Sequence, residues 1–254
     1  FLMKKSGKPV SETEKPEQFC TFAVQKTDMR IPDTSLKILL LLTVSLLAVA
    51  CTRTADDFEV WGLDVSRHQK DVDWEKVLQH EQPHFVFIKA TEGTLIVDPT
   101  YAKHRAELES AGVLWGAYHF FGHRTPGKEQ ARNFIKTARL KRGNILPVLD
   151  IEWHRFMKDP KRSAREAKNF CREIKHYYGV NPIIYCSTNF YEKYLADTFP
   201  EDEYVLWIAD YRECPTLRWQ LWQHTDSHRI PGIPGKVDRN VFSGSAEGFK
   251  KLIL

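Results

Sequence analysis

Apolar and polar positions alternate in two rhythms along this chain, and both become regular only after residue 58. Short apolar runs rich in Val, Ile and Phe read as strands over 60–66, 84–91, 113–121, 145–152 and 181–187. Helical signals fall between them. Asp73 can cap a helix that starts at Trp74, and Asp98-Pro99 is a cap with Pro at the first helical position. The helix after Pro99 ends at Gly112. Thr125-Pro126 opens a third helix, with Ala131, Phe134, Ile135 and Ala138 on one face. Ser163 to Glu166 reads as a capping box, and its helix turns Ala167, Phe170, Ile174 and Tyr177 inward before Gly179 stops it. Three more strands are expected over 205–209, 219–223 and 237–242, joined by Pro- and Gly-rich links with little helical period. Repeated βα units argue for a parallel sheet. Eight strands of this length point to an α/β barrel of five βα units followed by three strands, with a doubly wound open sheet as the alternative.

The first part of the chain has another character. Residues 1–28 are polar and without period, and read as an upstream or non-native extension ahead of Met29. Met29-Arg30 and Lys37 precede an apolar run of about a dozen residues, too short for a comfortable membrane span. It ends in Ala48-Val49-Ala50-Cys51, which is similar to the lipobox of bacterial lipoproteins, though Ala48 stands where that motif prefers Leu. Residues 29–51 are therefore expected to be an export signal ending at a lipidated Cys51. A buried helix or an uncleaved anchor would account for the same run. Residues 52–57 read as a tether and 58–254 as the barrel. An exported lipoprotein would face the periplasm or the cell surface. The other cysteines beyond this point are Cys171, Cys186 and Cys214, an odd number that leaves at least one thiol unpaired, expected to be buried.

Composition changes this picture little. The 254 residues are 42% hydrophobic and 12% aromatic, enough for a sizeable core. The net charge of +4 is too mild to argue for nucleic acid. No Gly-rich phosphate loop, metal-ligand spacing or cofactor motif is present.

Chemistry enters at the strand ends. The strand over 145–152 closes on Asp150 and Glu152, and alternation puts both on one face, within about 7 Å of each other. Asp64 ends the first strand, and Asp238 sits at the start of the eighth. In a βα barrel, function gathers at the C-terminal ends of the strands. Asp64, Asp150 and Glu152 then share one mouth, whereas Asp238 precedes most of its strand. Glycoside cleavage needs a carboxyl that stays protonated and negative charge near the reacting carbon. Neighbouring acids raise each other's pKa and so help keep one protonated.

These residues also resemble a known family. Gly62-Leu63-Asp64-Val65-Ser66, Val72-Asp73-Trp74, Phe87 to Gly93, Gly116 to Phe120, Leu149-Asp150-Ile151-Glu152, Leu221-Trp222-Gln223 and Val237 to Phe242 occur in order as in glycoside hydrolase family 25, the Chalaropsis-type lysozymes. The resemblance implies an eight-stranded barrel and N-acetylmuramidase activity on the β-1,4 bond of peptidoglycan, with no cofactor. It makes Glu152 the proton donor and Asp150 its partner, by a substrate-assisted or an Asp-nucleophile route. Asp64 and Asp238 take electrostatic roles, and Tyr118, Tyr185, Trp207 and Gln223 line the groove. Two departures stand out: Arg67-His68-Gln69-Lys70 replaces an aromatic-Gln-Gly run, and His224 follows Gln223 where Tyr is common. A peptidoglycan-binding module with weak catalysis and a glycosidase for another amino-sugar polymer are the competing readings.

Overall fold

The computed structural model describes residues 53–254, so the expected extension, the signal and Cys51 lie outside the described residues. The strands are β1 (Trp61–Val65), β2 (Phe85–Glu92), β3 (Ile96–Val97), β4 (Trp115–Phe120), β5 (Val148–Asp150), β6 (Ile183–Ser187), β7 (Leu206–Ala209), β8 (Leu221–His228) and β9 (Val237–Phe242). The helices are α1 (Trp74–His80), α2 (Tyr101–Ser110), α3 (Gly127–Ala138), α4 (Pro160–Tyr178), α5 (Thr188–Phe190) and α6 (Ala246–Phe249). All strands but β3 close into a barrel, with β1 joined to both β2 and β9. The eight expected strands are present. β3, a two-residue strand that folds back on β2, was not expected.

Seven of the barrel strands run parallel in sequence order, while β9 is antiparallel to both β8 and β1. The period of two sorts each strand between two cores. Leu63, Val86, Ile88, Ala117, Leu149, Ile184 and Ile208 face outward, where α1 to α4 cover them. Phe85, Phe87, Tyr118, Val148, Tyr185, Trp207, Leu221 and Phe242 fill the interior. Gly62 faces inward because a Cβ there would meet the Phe85 carbonyl oxygen and ring. Phe249 stacks on Phe85 at 4.8 Å, so the segment around α6 closes the end of the barrel opposite the mouth. The interior is thus apolar through its lower layers and turns polar only at the C-terminal ends of the parallel strands.

Three local expectations differ. α4 starts at Pro160 and is capped by Asp159, which accepts from Arg162 N at 3.0 Å. Asp-Pro outcompetes the Ser163 capping box because Pro is preset for the first helical position. Ser163 is instead one turn inside the helix and buried. The helix expected at Pro99 begins at Tyr101, because Asp98 folds its carboxylate onto Thr100 N and Oγ1 and holds a turn there. Tyr177 was expected to face inward and is 64% exposed.

α3 and α4 approach closely at Gly127, where a Cβ would collide with the Glu166 backbone carbonyl. Backbone cannot move aside as a flexible side chain can. Gly127→Ala should therefore cost about 3 kcal/mol and lower the melting temperature by about 10 °C. An unchanged melting curve would show that the helix pair is softer than this packing implies.

Candidate active site

β1, β5 and β9 deliver the four carboxyls to one mouth. Asp64 ends β1 and faces inward. Asp238 lies directly opposite it, because β9 runs antiparallel and so begins at the mouth where its neighbours end. The antiparallel direction of β9 resolves the placement of Asp238, which its position at the strand start had left open. β5 is shorter than expected and stops at Asp150, so Glu152 stands just past the strand. It remains next to Asp150 because Ile151 N is held by the Tyr185 carbonyl at 2.9 Å. Below Glu152, His123 Nε2 lies 2.7 Å from its carbonyl oxygen and must donate to it. Burial lowers the pKa of His123, so the ring is neutral and its Nδ1 accepts from Ser163 Oγ at 3.1 Å.

A locked network fixes the charge state of Asp64. Trp207 Nε1 can only donate, and it donates to Asn240 Oδ1 at 2.8 Å. This turns the Asn240 amide nitrogen toward Asp64 Oδ2, also at 2.8 Å. Tyr185 and Tyr211 hydroxyls converge on Gln223 Oε1 at 2.8 and 2.7 Å, which turns Gln223 Nε2 toward the same oxygen at 2.9 Å. Two amide donors aimed at one carboxylate oxygen need an acceptor there. Burial raises the pKa of Asp64, and the bonds from Asn240, Gln223 and Asp238 oppose that rise. Asp238 has no such help. Burial, then the Asp64 charge and its hydrogen bond, push it up to about 9. Within this pair Asp238 therefore holds the proton and Asp64 the charge.

In the second pair one proton is shared. Burial raises Asp150 well above the carboxylate range, and the Glu152 charge raises it further against the Lys89 ammonium. Burial also raises Glu152, with its bond to Asp150 and the Lys89 charge opposing. The two carboxyls share a hydrogen bond and hold a proton between them at neutral pH. Asp150 Oδ1 is buried with no hydrogen-bond partner among the described residues.

The residues expected to line the groove sit deeper. Trp207 and Gln223 are both 2% exposed and serve Asp64 from inside the barrel. Tyr118 and Tyr185 are buried with their rings below the carboxyls, whose charges raise both phenol pKa values after burial has done most of the work. Sequence reasoning missed Asn240, Tyr211, His123 and Lys89 as site residues. Asn240 was findable, because alternation places it on the same face as Asp238. Tyr211 lies on an irregular link and His123 on a loop, where no periodicity marks a direction. Lys89 faces inward on β2 and pairs with Glu92 at 2.8 Å.

Cutting a glycosidic bond by acid catalysis needs an ionised carboxylate near the reacting carbon and a second carboxyl still protonated above its ordinary pKa. A βα barrel that gathers such acids at the C-terminal ends of its strands carries the equipment of a glycoside hydrolase. The comparisons make this specific. The model for glycosyl hydrolases family 25 matches residues 63–233, and the chain belongs to that family. It is 34% identical over 209 residues to protein YegX of Escherichia coli, covering 79% of this chain and 76% of that one. A family 25 glycosyl hydrolase from Bacillus anthracis superimposes with a TM-score of 0.73 at 28% identity, covering 80% of this chain and 98% of the other. The bacterial lysozyme of Streptomyces coelicolor gives a TM-score of 0.70 at 26% identity, over 76% and 96% of the two chains.

Proposed function

We propose that this chain is an N-acetylmuramidase that hydrolyses the β-1,4 bond between N-acetylmuramic acid and N-acetylglucosamine in peptidoglycan. The observation that carries the reading is the pairing of four carboxyls at one mouth, Asp64 with Asp238 and Asp150 with Glu152. Glu152 is the acid, because it is the partly exposed member of its pair and can reach a glycosidic oxygen. It gives its proton to the leaving oxygen as the C1–O bond breaks, and then takes one from the water that completes hydrolysis. Asp150 orients the substrate's acetamido group. Its unpartnered Oδ1 is an acceptor for the acetamido N–H, which would turn the acetamido oxygen toward C1. This favours the substrate-assisted route over an Asp nucleophile. Asp64, held ionised, stabilises the positive charge that grows on the sugar ring, and Asp238 keeps Asp64's neighbourhood from carrying a second charge.

The test is the new reducing end. Peptidoglycan digested by the protein and then reduced should yield muramitol. Glucosaminitol in its place would refute the muramidase reading. Peptidoglycan lies outside the cytoplasmic membrane, so the protein works as an exported one. Lipid attachment at Cys51 to the membrane facing the wall is part of this proposal. Mass analysis of the native N-terminal peptide would detect the acyl chains, and an unmodified Cys51 would discard the anchor.

A further inference from the structure

A second cleft leads away from the carboxyls. It has a volume of 380 Å³ and lies between the β2–β3 turn, the loop after β4 and the loop after β5. Leu95 and Ile96 form one wall, His154 and Phe156 the other, and Gly122 and His123 the floor. It continues past Arg124 and Phe156 into a depression of 450 Å³ that also takes in Lys158, Asp159 and Arg162. The two share His123, Arg124 and Phe156 and form one trough.

Three properties mark this trough as built to receive something. First, it exposes apolar surface that no core needs: Leu95 is 87% exposed, and Ile96 and Phe156 are exposed as well. Second, its cations outnumber its free acids. Glu92 is tied to Lys89 at 2.8 Å, and Asp159 is occupied in capping α4. Arg124 sits over the Phe156 ring, its guanidinium carbon 4.1 Å from the ring centre, and has no carboxylate partner among the described residues. Third, its walls are fixed. Asn133 Nδ2 donates to the carbonyls of Gly93 and Ile96 at 3.1 and 3.3 Å and pins the turn to α3. His123 pins the floor to the carbonyl of Glu152 at 2.7 Å. The floor of the trough is therefore bonded to the backbone of the residue that carries the proposed acid.

We infer that the trough binds the stem peptide of the muramic acid unit, an inference that rests on the muramidase reading. Muramic acid differs from glucosamine by a lactyl ether at O3, and the peptide hangs from that group by an amide. The stem carries both small methyl-bearing residues and free carboxylates. Leu95, Ile96 and Phe156 suit the methyls. Arg124, Lys158 and Arg162 suit the carboxylates, and the guanidinium fork of Arg124 can take one in a bidentate contact. The peptide's charge is thus read within reach of the bond that is cut.

The experiment compares glycan strands that keep their peptides with the same strands stripped by an amidase. The readout is the ratio of the two kcat/KM values. The wild type should favour the peptide-bearing strand by about tenfold, a difference of about 1.4 kcal/mol. Arg124→Ala and Phe156→Ala should each bring the ratio toward one, Arg124→Lys should keep part of it, and added salt should shrink it. Arg124 is exposed, so its removal leaves the core intact, and a melting curve checks this. A wild-type ratio near one, or an unchanged ratio in both alanine variants, overturns the assignment of the trough. No cleavage of either strand by the wild type overturns the muramidase reading itself, and the trough's assignment falls with it.

Discussion

Glu152→Gln is expected to lower the rate of glycan cleavage by about a thousandfold, within the span measured for removal of a general acid. The amide keeps the size and polarity of the side chain, so the loss reports on the proton and not on packing. Glutamine cannot donate a proton that it must then regain, and both halves of the reaction need that exchange at one atom. The variant should fold at least as well as the parent, because it removes a carboxyl that burial and the Asp64 charge push away from ionisation. Release of reducing ends from purified peptidoglycan, followed beside a melting curve, separates the two effects. Activity equal to wild type would remove Glu152 from the role of acid and pass it to Asp150. The pH profile gives a second reading. The acidic limb of the wild type reports the ionised partner, and the alkaline limb reports loss of the shared proton. Both limbs belong to the pair of carboxyls and not to either one alone.

Much of this site was legible in the chain because a strand's period of two is a strong directional signal. Asp64 and Asp150 each close an apolar run, and their inward direction follows from counting back along it. The direction of a whole strand is a different matter. β9 carries the same alternation whether it runs parallel or antiparallel, so its residues could not say which end meets the mouth. Only closure of the barrel decides that, and closure is a long-range event between β1 and β9. The Ser163 box failed for a related reason. Its spacing was right, but Asp159-Pro160 offered a stronger start, and Ser163 was needed below to hold His123. The amide network around Asp64 was invisible because it depends on which way two amides point. Tyr185 on β6, and Trp207 and Tyr211 on β7 and the link after it, set that, and both stretches are far in sequence from Asp64 and Asn240.

Asp238→Asn should make the protein more stable at pH 8 and less active at every pH. The sign follows from the proton count. In the folded chain burial and the Asp64 charge push Asp238 up to about 9. In the unfolded chain it ionises near the usual carboxylate value, about 4. Between these limits the folded state keeps a proton that the unfolded state has released. Stability therefore falls as pH rises through this window, and the loss is complete only above pH 9. Asparagine cannot ionise and escapes the penalty, while its amide can still donate to Asp64 as the protonated acid does. The melting temperatures of the two proteins should meet near pH 4 and separate steadily toward pH 8, with the variant higher. A constant gap across that range would mean that Asp238 is ionised in the folded protein, and the proposed division of charge between it and Asp64 would have to be reversed. The expected loss of activity supplies the other half of the argument. The protonated acid donates a short O–H bond to the Asp64 carboxylate, whereas the amide of asparagine makes a longer N–H bond and shifts that carboxylate from where it meets the positive charge growing on the sugar. A buried acid that weakens the fold as pH rises is tolerated where its proton holds the Asp64 charge in place for the transition state.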